Sequence, residues 1–123
     1  MGIKIEKINK DLELRFTGIH RILVMKSSIV FSKENFLEIR RGNIPPVSSG
    51  GIRAPGVGIP GFLAYGRYRY GGKKYLCAYK GKESNALMVE LTNHEYQGII
   101  VSYSLIAKNK EEAYKKLSEL LNF

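Results

Sequence analysis

Hydrophobic and polar residues alternate along most of this chain. Ile3 and Ile5, then Leu12, Leu14 and Phe16, are interleaved with charged residues on either side of Asn9-Lys10-Asp11. Positions i, i+2 and i+4 of a strand share a face, so this region reads as one or two strands with one wet face. Ile22-Leu23-Val24-Met25 is a continuous apolar run and reads as a short buried strand. Ile29 and Phe31, then Leu37 and Ile39, alternate again around a break at Ser32-Lys33-Glu34-Asn35; residues 33–40 also admit a short helix. Four further strands are predicted over Phe62 to Tyr70, Tyr75 to Lys80, Ala86 to Leu91 and Tyr96 to Ser102. They are separated by Gly71-Gly72, Gly81 to Asn85 and Thr92 to Glu95. These are hairpin-type connections, so the pattern predicts a four-strand meander.

The period changes near the C-terminus. Ala113, Leu117, Leu120 and Leu121 follow helical spacing, and Asn109 precedes Lys110-Glu111-Glu112. Asn109 as N-cap with Glu112 at the third helical position resembles a capping box, which predicts a helix at about 110–121. Strands without alternating helices exclude a doubly wound α/β fold. The expectation is a mainly β protein with one C-terminal α-helix. It would be a bent antiparallel sheet or partly open barrel, capped by the helix, in a single domain spanning 1–123.

Between the two sets of strands lies a different composition. Of residues 42–61, thirteen are Gly, Pro, Ser or Asn, so the segment reads as a long loop. Loops of that length inside a domain are usually functional or disordered. Gly56-Val57-Gly58-Ile59-Pro60-Gly61 within it matches G-x-G-x-x-G. A dinucleotide loop needs a strand before it and a helix after it. Here a Gly/Pro/Ser loop precedes and Phe62-Leu63-Ala64-Tyr65 follows with strand character. No Walker pattern occurs either. Pro55-Gly56 and Pro60-Gly61 instead suit two type II turns. Gly66, inside a predicted strand, marks a bulge or bend.

Charge singles out the same middle third. The net charge is +9. From Ile39 to Lys82 there is no Asp or Glu, but Arg40, Arg41, Arg53, Arg67, Arg69, Lys73, Lys74, Lys80 and Lys82 are present. The rest of the chain has eleven basic and eleven acidic residues, so the whole excess lies in this window. Such asymmetry attracts anions: nucleic acid, acidic lipid or an acidic partner. In an extended strand Arg67 and Arg69 share one face while Tyr68 and Tyr70 share the other. Aromatic and basic interleaving serves single-stranded nucleic acid, but a half-buried strand with Tyr inward and Arg outward looks the same and is commoner. Arg53, Arg67, Arg69, Lys73 and Lys74 are the candidate anion- or partner-binding residues.

Catalytic and metal-binding constellations are not visible in the sequence. His20 and His94 lie far apart, and one cysteine, Cys77, makes no zinc spacing and no internal disulfide. Cys77 falls mid-strand and reads as a small buried hydrophobe. No catalytic, cofactor or metal site is expected. With no secretory signal and no long apolar run, a cytoplasmic protein is expected, with a peripheral place at the membrane as one location.

Arg53-Ala54-Pro55-Gly56, Gly58-Ile59-Pro60-Gly61, Tyr65-Gly66-Arg67-Tyr68 and Gly71-Gly72 before Tyr75 together resemble the bacterial pleckstrin-homology-like family. The likeness in layout runs over roughly residues 12–121 and in motif over 53–75. It implies a pleckstrin-homology-like fold and a non-enzymatic binding module. Phosphoinositide binding is not carried over, because Lys7, Lys10 and Arg15 in the early hairpin are balanced by Glu6, Asp11 and Glu13. The expected partner is an acidic protein segment or an anionic membrane surface. Nucleic acid is a weaker expectation, through stacking on Tyr65, Tyr68 or Tyr70, and edge strands admit a homo-oligomer.

Overall fold

The first quarter of the chain builds a three-stranded antiparallel sheet. β1 (Ile3–Ile8) and β2 (Asp11–Phe16) pair directly, with Ile5 opposite Leu14, and β2 pairs β3 (Ser28–Ser32), with Leu12 opposite Phe31. Leu12, Leu14 and Phe16 are buried, as the alternation requires. A computed structural model of the chain describes residues 2–24, 26–59 and 62–121, with residues 53–57 described by backbone alone.

Between β2 and β3 the chain forms α1 (Ile19–Val24), not the predicted strand; Met25 lies outside the described residues. A four-residue apolar run cannot distinguish a short strand from one turn of helix. His20 sits on α1 beside the Tyr65 ring, centroids 6.2 Å apart. Residues 33–40 contain one 3₁₀ turn (Lys33–Asn35) followed by β4 (Phe36–Arg40), not a helix of their own.

The larger sheet has six strands in the order β4-β8-β9-β7-β6-β5. Its members beyond β4 are β5 (Ile52–Ile59), β6 (Leu63–Tyr70), β7 (Lys73–Lys80), β8 (Ala86–Leu91) and β9 (Gly98–Ser102). The predicted meander is corrected here. β9 does not follow β8 outward but inserts between β7 and β8, antiparallel to β8 and parallel to β7. Hairpin-length connections fix strand direction but not which strands become neighbours. The strands lie in two sheets and do not close into one barrel.

Both faces of the large sheet are covered, which explains why β7 and β9 read as nearly continuous apolar runs. Leu76, Ala78, Val89, Ile99 and Val101 face the small sheet, together with Val24 of α1 and Leu117 of α3 (Lys110–Leu120). The opposite face carries Tyr68, Tyr75, Cys77, Tyr79, Met88 and Ile100. The supposed long loop covers it: Ile44 and Val47 pack there, Val47 opening the helical turn α2 (Val47–Gly50). The rest of that segment is β5, an edge strand. Pro55-Gly56 is a register shift inside β5 and not a turn; Pro60-Gly61 lie outside the described residues. Phe62 N–H donates to Ile59 O at 2.9 Å. Glycine and proline content hid this strand, because an edge strand tolerates both.

α3 lies where the N-cap signal puts it. Asn109 Oδ1 accepts from the Glu112 amide at 2.9 Å, and the helix contacts β1 of one sheet and β4 and β8 of the other.

Candidate anion-binding face

The β6–β7 hairpin carries four of the five predicted residues. Its turn, Gly71-Gly72, has φ of +58° and +77°, the mirror-image turn that matches the twist of paired strands and excludes most side chains. Arg69 stands opposite Lys74, Arg67 opposite Leu76 and Tyr70 opposite Lys73. Directly opposed residues share a face, as do residues two apart on one strand. Arg67, Arg69 and Lys74 therefore lie together on the face turned toward α1 and the small sheet. Their backbones are spaced about 5 Å across and about 7 Å along the strands. Lys73 belongs to the other face, beside Tyr70. Of Arg53 only the backbone is described, on β5 opposite Tyr68, and its side chain lies outside the described part.

The turn between β8 and β9 brings an acid to this face. Lys74 Nζ lies 3.0 Å from Glu95 Oε2 and 5.1 Å from the centre of the Tyr96 ring. The Lys74 hydrogen bond holds the Glu95 carboxyl below its ordinary range, with the charges of Lys74, Lys26 and Arg67 adding to the effect. Lys26 follows α1, so four cations from three chain segments meet here: Lys26, Arg67, Arg69 and Lys74. Burial pushes the Tyr96 phenol up, and the charges of Arg67 and Lys74 act against that rise.

The remaining charges of the basic window are dispersed. Arg40 pairs with Glu38 at 3.0 Å and Glu90 at 2.6 Å. Arg41 lies 3.4 Å from Glu111, with its guanidinium 4.2 Å from the Tyr114 ring centre. Lys80 ends β7 and Lys82 follows it, at the end of the sheet away from the Gly71-Gly72 turn. Charge that is contiguous in sequence thus divides among three places.

Of the three tyrosines considered for stacking, Tyr70 is half-buried and the other two are buried. Tyr65 and Tyr68 are 7% and 4% exposed, inward on opposite faces of β6, and offer no ring to a base. The G-x-G-x-x-G stretch is also structural. Gly56 and Gly58 lie on β5 opposite Gly66 and Ala64, no helix follows, and a Cβ on Gly58 would overlap the Tyr68 hydroxyl. Gly66 has φ +111°, a conformation that favours glycine, but β6 pairs with β7 without a break from Leu63 to Tyr70, and the register shift lies in β5 between Arg53 and Gly56.

Histidine and cysteine serve the framework. His94 Nδ1 accepts from the Tyr96 amide at 3.1 Å, and Nε2 lies 2.8 Å from Val30 O on the small sheet. These partners assign the proton to Nε2. Cys77 is buried, and burial, with the Glu83 charge adding, pushes its thiol well up.

Sequence reasoning missed Lys26 and Glu95, which reach the hairpin only through tertiary contacts. It also missed three exposed isoleucines, Ile52 opposite Arg69 and Ile19 and Ile22 on α1, which packs on β6 and β7. Among the described residues no helix is long and apolar enough to cross a membrane. Comparison of the chain with protein-family models, curated proteins and solved structures gives no match.

Proposed function

We propose that this chain is a non-enzymatic binding module on a pleckstrin-homology-like scaffold, docking on an anionic membrane surface at the cytoplasmic side. The scaffold reading is supported by strands throughout and one terminal helix packed across both sheets. The parallel β7–β9 pair departs from a wholly antiparallel arrangement. The observation that carries the function is the convergence of Arg67, Arg69 and Lys74 on one face of the β6–β7 hairpin, with Lys26 beside them. Glu95 offsets part of this charge, and the exposed Arg69 leads toward solvent.

A membrane surface is favoured over nucleic acid because Tyr65 and Tyr68 are buried, and over an acidic peptide because exposed isoleucines adjoin the cations. Basic residues near an anionic leaflet contribute about 1 kcal/mol each. The test is co-sedimentation with phosphatidylglycerol-containing and with pure phosphatidylcholine vesicles. Binding is expected to the anionic vesicles alone, to weaken with salt, and to fall roughly tenfold or more in Arg69→Glu, which removes one positive charge and adds a negative one. Equal, negligible binding to both vesicles would sink the proposal.

A further inference from the structure

Ile19 and Ile22 stand three residues apart on α1 and are 63% and 70% exposed. Residues at that spacing share a helix face. Val24 of the same helix is buried in the core between the sheets. α1 packs on β5, β6 and β7, and Ile52 of β5, 71% exposed, stands opposite Arg69. All three isoleucines therefore belong to the side of the molecule that bears the basic cluster. Arg21 is exposed on α1 itself, and Lys26 follows the helix.

Scattered surface isoleucines need no explanation, but a group on the side of the molecule that carries a cationic cluster does. A six-residue helix has no stability of its own in water. α1 is held by Val24 and by His20 against Tyr65, so the fold presents Ile19 and Ile22 outward on a fixed platform. Apolar side chains on one face with Lys and Arg around them are the pattern of a helix lying in a membrane interface. The cations specify an anionic surface, and the isoleucines require one that also offers hydrocarbon. A soluble polyanion supplies the first alone.

We infer that α1 is a membrane-inserting element, with Ile19 and Ile22 entering the acyl-chain boundary of an anionic bilayer while Arg21, Lys26, Arg67, Arg69 and Lys74 contact its headgroups. This rests on the membrane reading above and adds a salt-resistant apolar component to it. Ile52, at the hairpin end of β5, extends the apolar patch.

The chain contains no tryptophan, so Ile22→Trp gives a reporter without background at an exposed position. With phosphatidylglycerol-containing vesicles its emission is expected to shift to the blue and to be quenched by lipids brominated on their acyl chains. The double variant Ile19→Ser/Ile22→Ser is expected to lose about tenfold in vesicle affinity per isoleucine. Its retention on a heparin column should be unchanged. Vesicle binding that is sensitive to Arg69→Glu but leaves Ile22→Trp unshifted and unquenched would overturn the inference and keep the electrostatic reading. Absence of binding to any vesicle would overturn both. Undiminished vesicle affinity in the double variant would overturn the insertion alone.

Discussion

The Ser48 amide donates to the Tyr79 hydroxyl at 3.1 Å, joining the segment that covers the outer face of the large sheet to its central strand β7. Tyr79 in turn donates to Glu83 Oε2 at 2.7 Å, and Ser48 Oγ donates to the same oxygen at 2.9 Å. Tyr79 is fully buried, so its ring fills space between sheet and cover while its oxygen links both to the β7–β8 connection. Tyr79→Phe keeps the ring and removes the hydroxyl. It should lower unfolding free energy by about 1–3 kcal/mol, because the buried Ser48 amide loses its acceptor and Glu83 a donor. Urea denaturation measures this, and an unchanged midpoint would contradict it.

Gly58 is the member of the G-x-G-x-x-G stretch whose lack of a side chain matters most. An alanine there would meet the Tyr68 hydroxyl, on a side chain that is itself buried. Gly58→Ala is expected to cost about 1–3 kcal/mol through displacement of Tyr68. Thermal unfolding of the variant tests this. Tyr68→Phe, which removes the obstructing oxygen, should recover part of the loss when combined with it.

The C-terminal helix depends on its cap. Asn109→Ala removes the oxygen that accepts from the Glu112 amide and should cost about 0.5–2 kcal/mol. Asn109→Asp should restore most of this, since aspartate accepts the same bond. Stability measured for the pair separates the cap from a general effect of substitution.

Alkaline pH should destabilise the fold. Burial raises the phenol pKa values of Tyr65, Tyr75, Tyr79 and Tyr96. A group whose folded pKa exceeds its unfolded value contributes stability that is complete below the unfolded pKa and is lost as pH rises through the folded one. For these phenols the loss begins near pH 10. Of the eight tyrosines, these four should ionise together with the loss of circular dichroism. Smooth ionisation of all eight with secondary structure retained would contradict this.

The parts of the fold legible in the sequence are those set by neighbours along the chain. The pairing of β1 with β2 follows from alternation around Asn9-Lys10-Asp11, and that of β6 with β7 from the glycine pair between them. The start of α3 follows from Asn109. Where the decision is tertiary, the sequence is silent. Ile22-Leu23-Val24 forms a helix because Val24 is claimed by a core assembled from distant strands. β5 forms within a glycine- and proline-rich stretch because β6 offers it an edge. The candidate site divides along the same line. Arg67, Arg69 and Lys74 were readable from strand period and hairpin register, whereas Lys26 and Glu95 come from separate connections. The isoleucines of α1 gave no signal, because exposure is not written in residue type.

The position of β9 has a consequence for synthesis. β7 and β8 leave the ribosome joined by a five-residue connection, Gly81 to Asn85, short enough to zip them into an ordinary hairpin. The native sheet instead keeps them about 10 Å apart, two strand spacings, with β9 between. A nascent chain that ends before Gly98 thus holds two unsatisfied strand edges facing each other, and its easiest closure is a wrong one. Correct assembly waits for Gly98–Ser102, and a truncation before Gly98 leaves the centre of the sheet open.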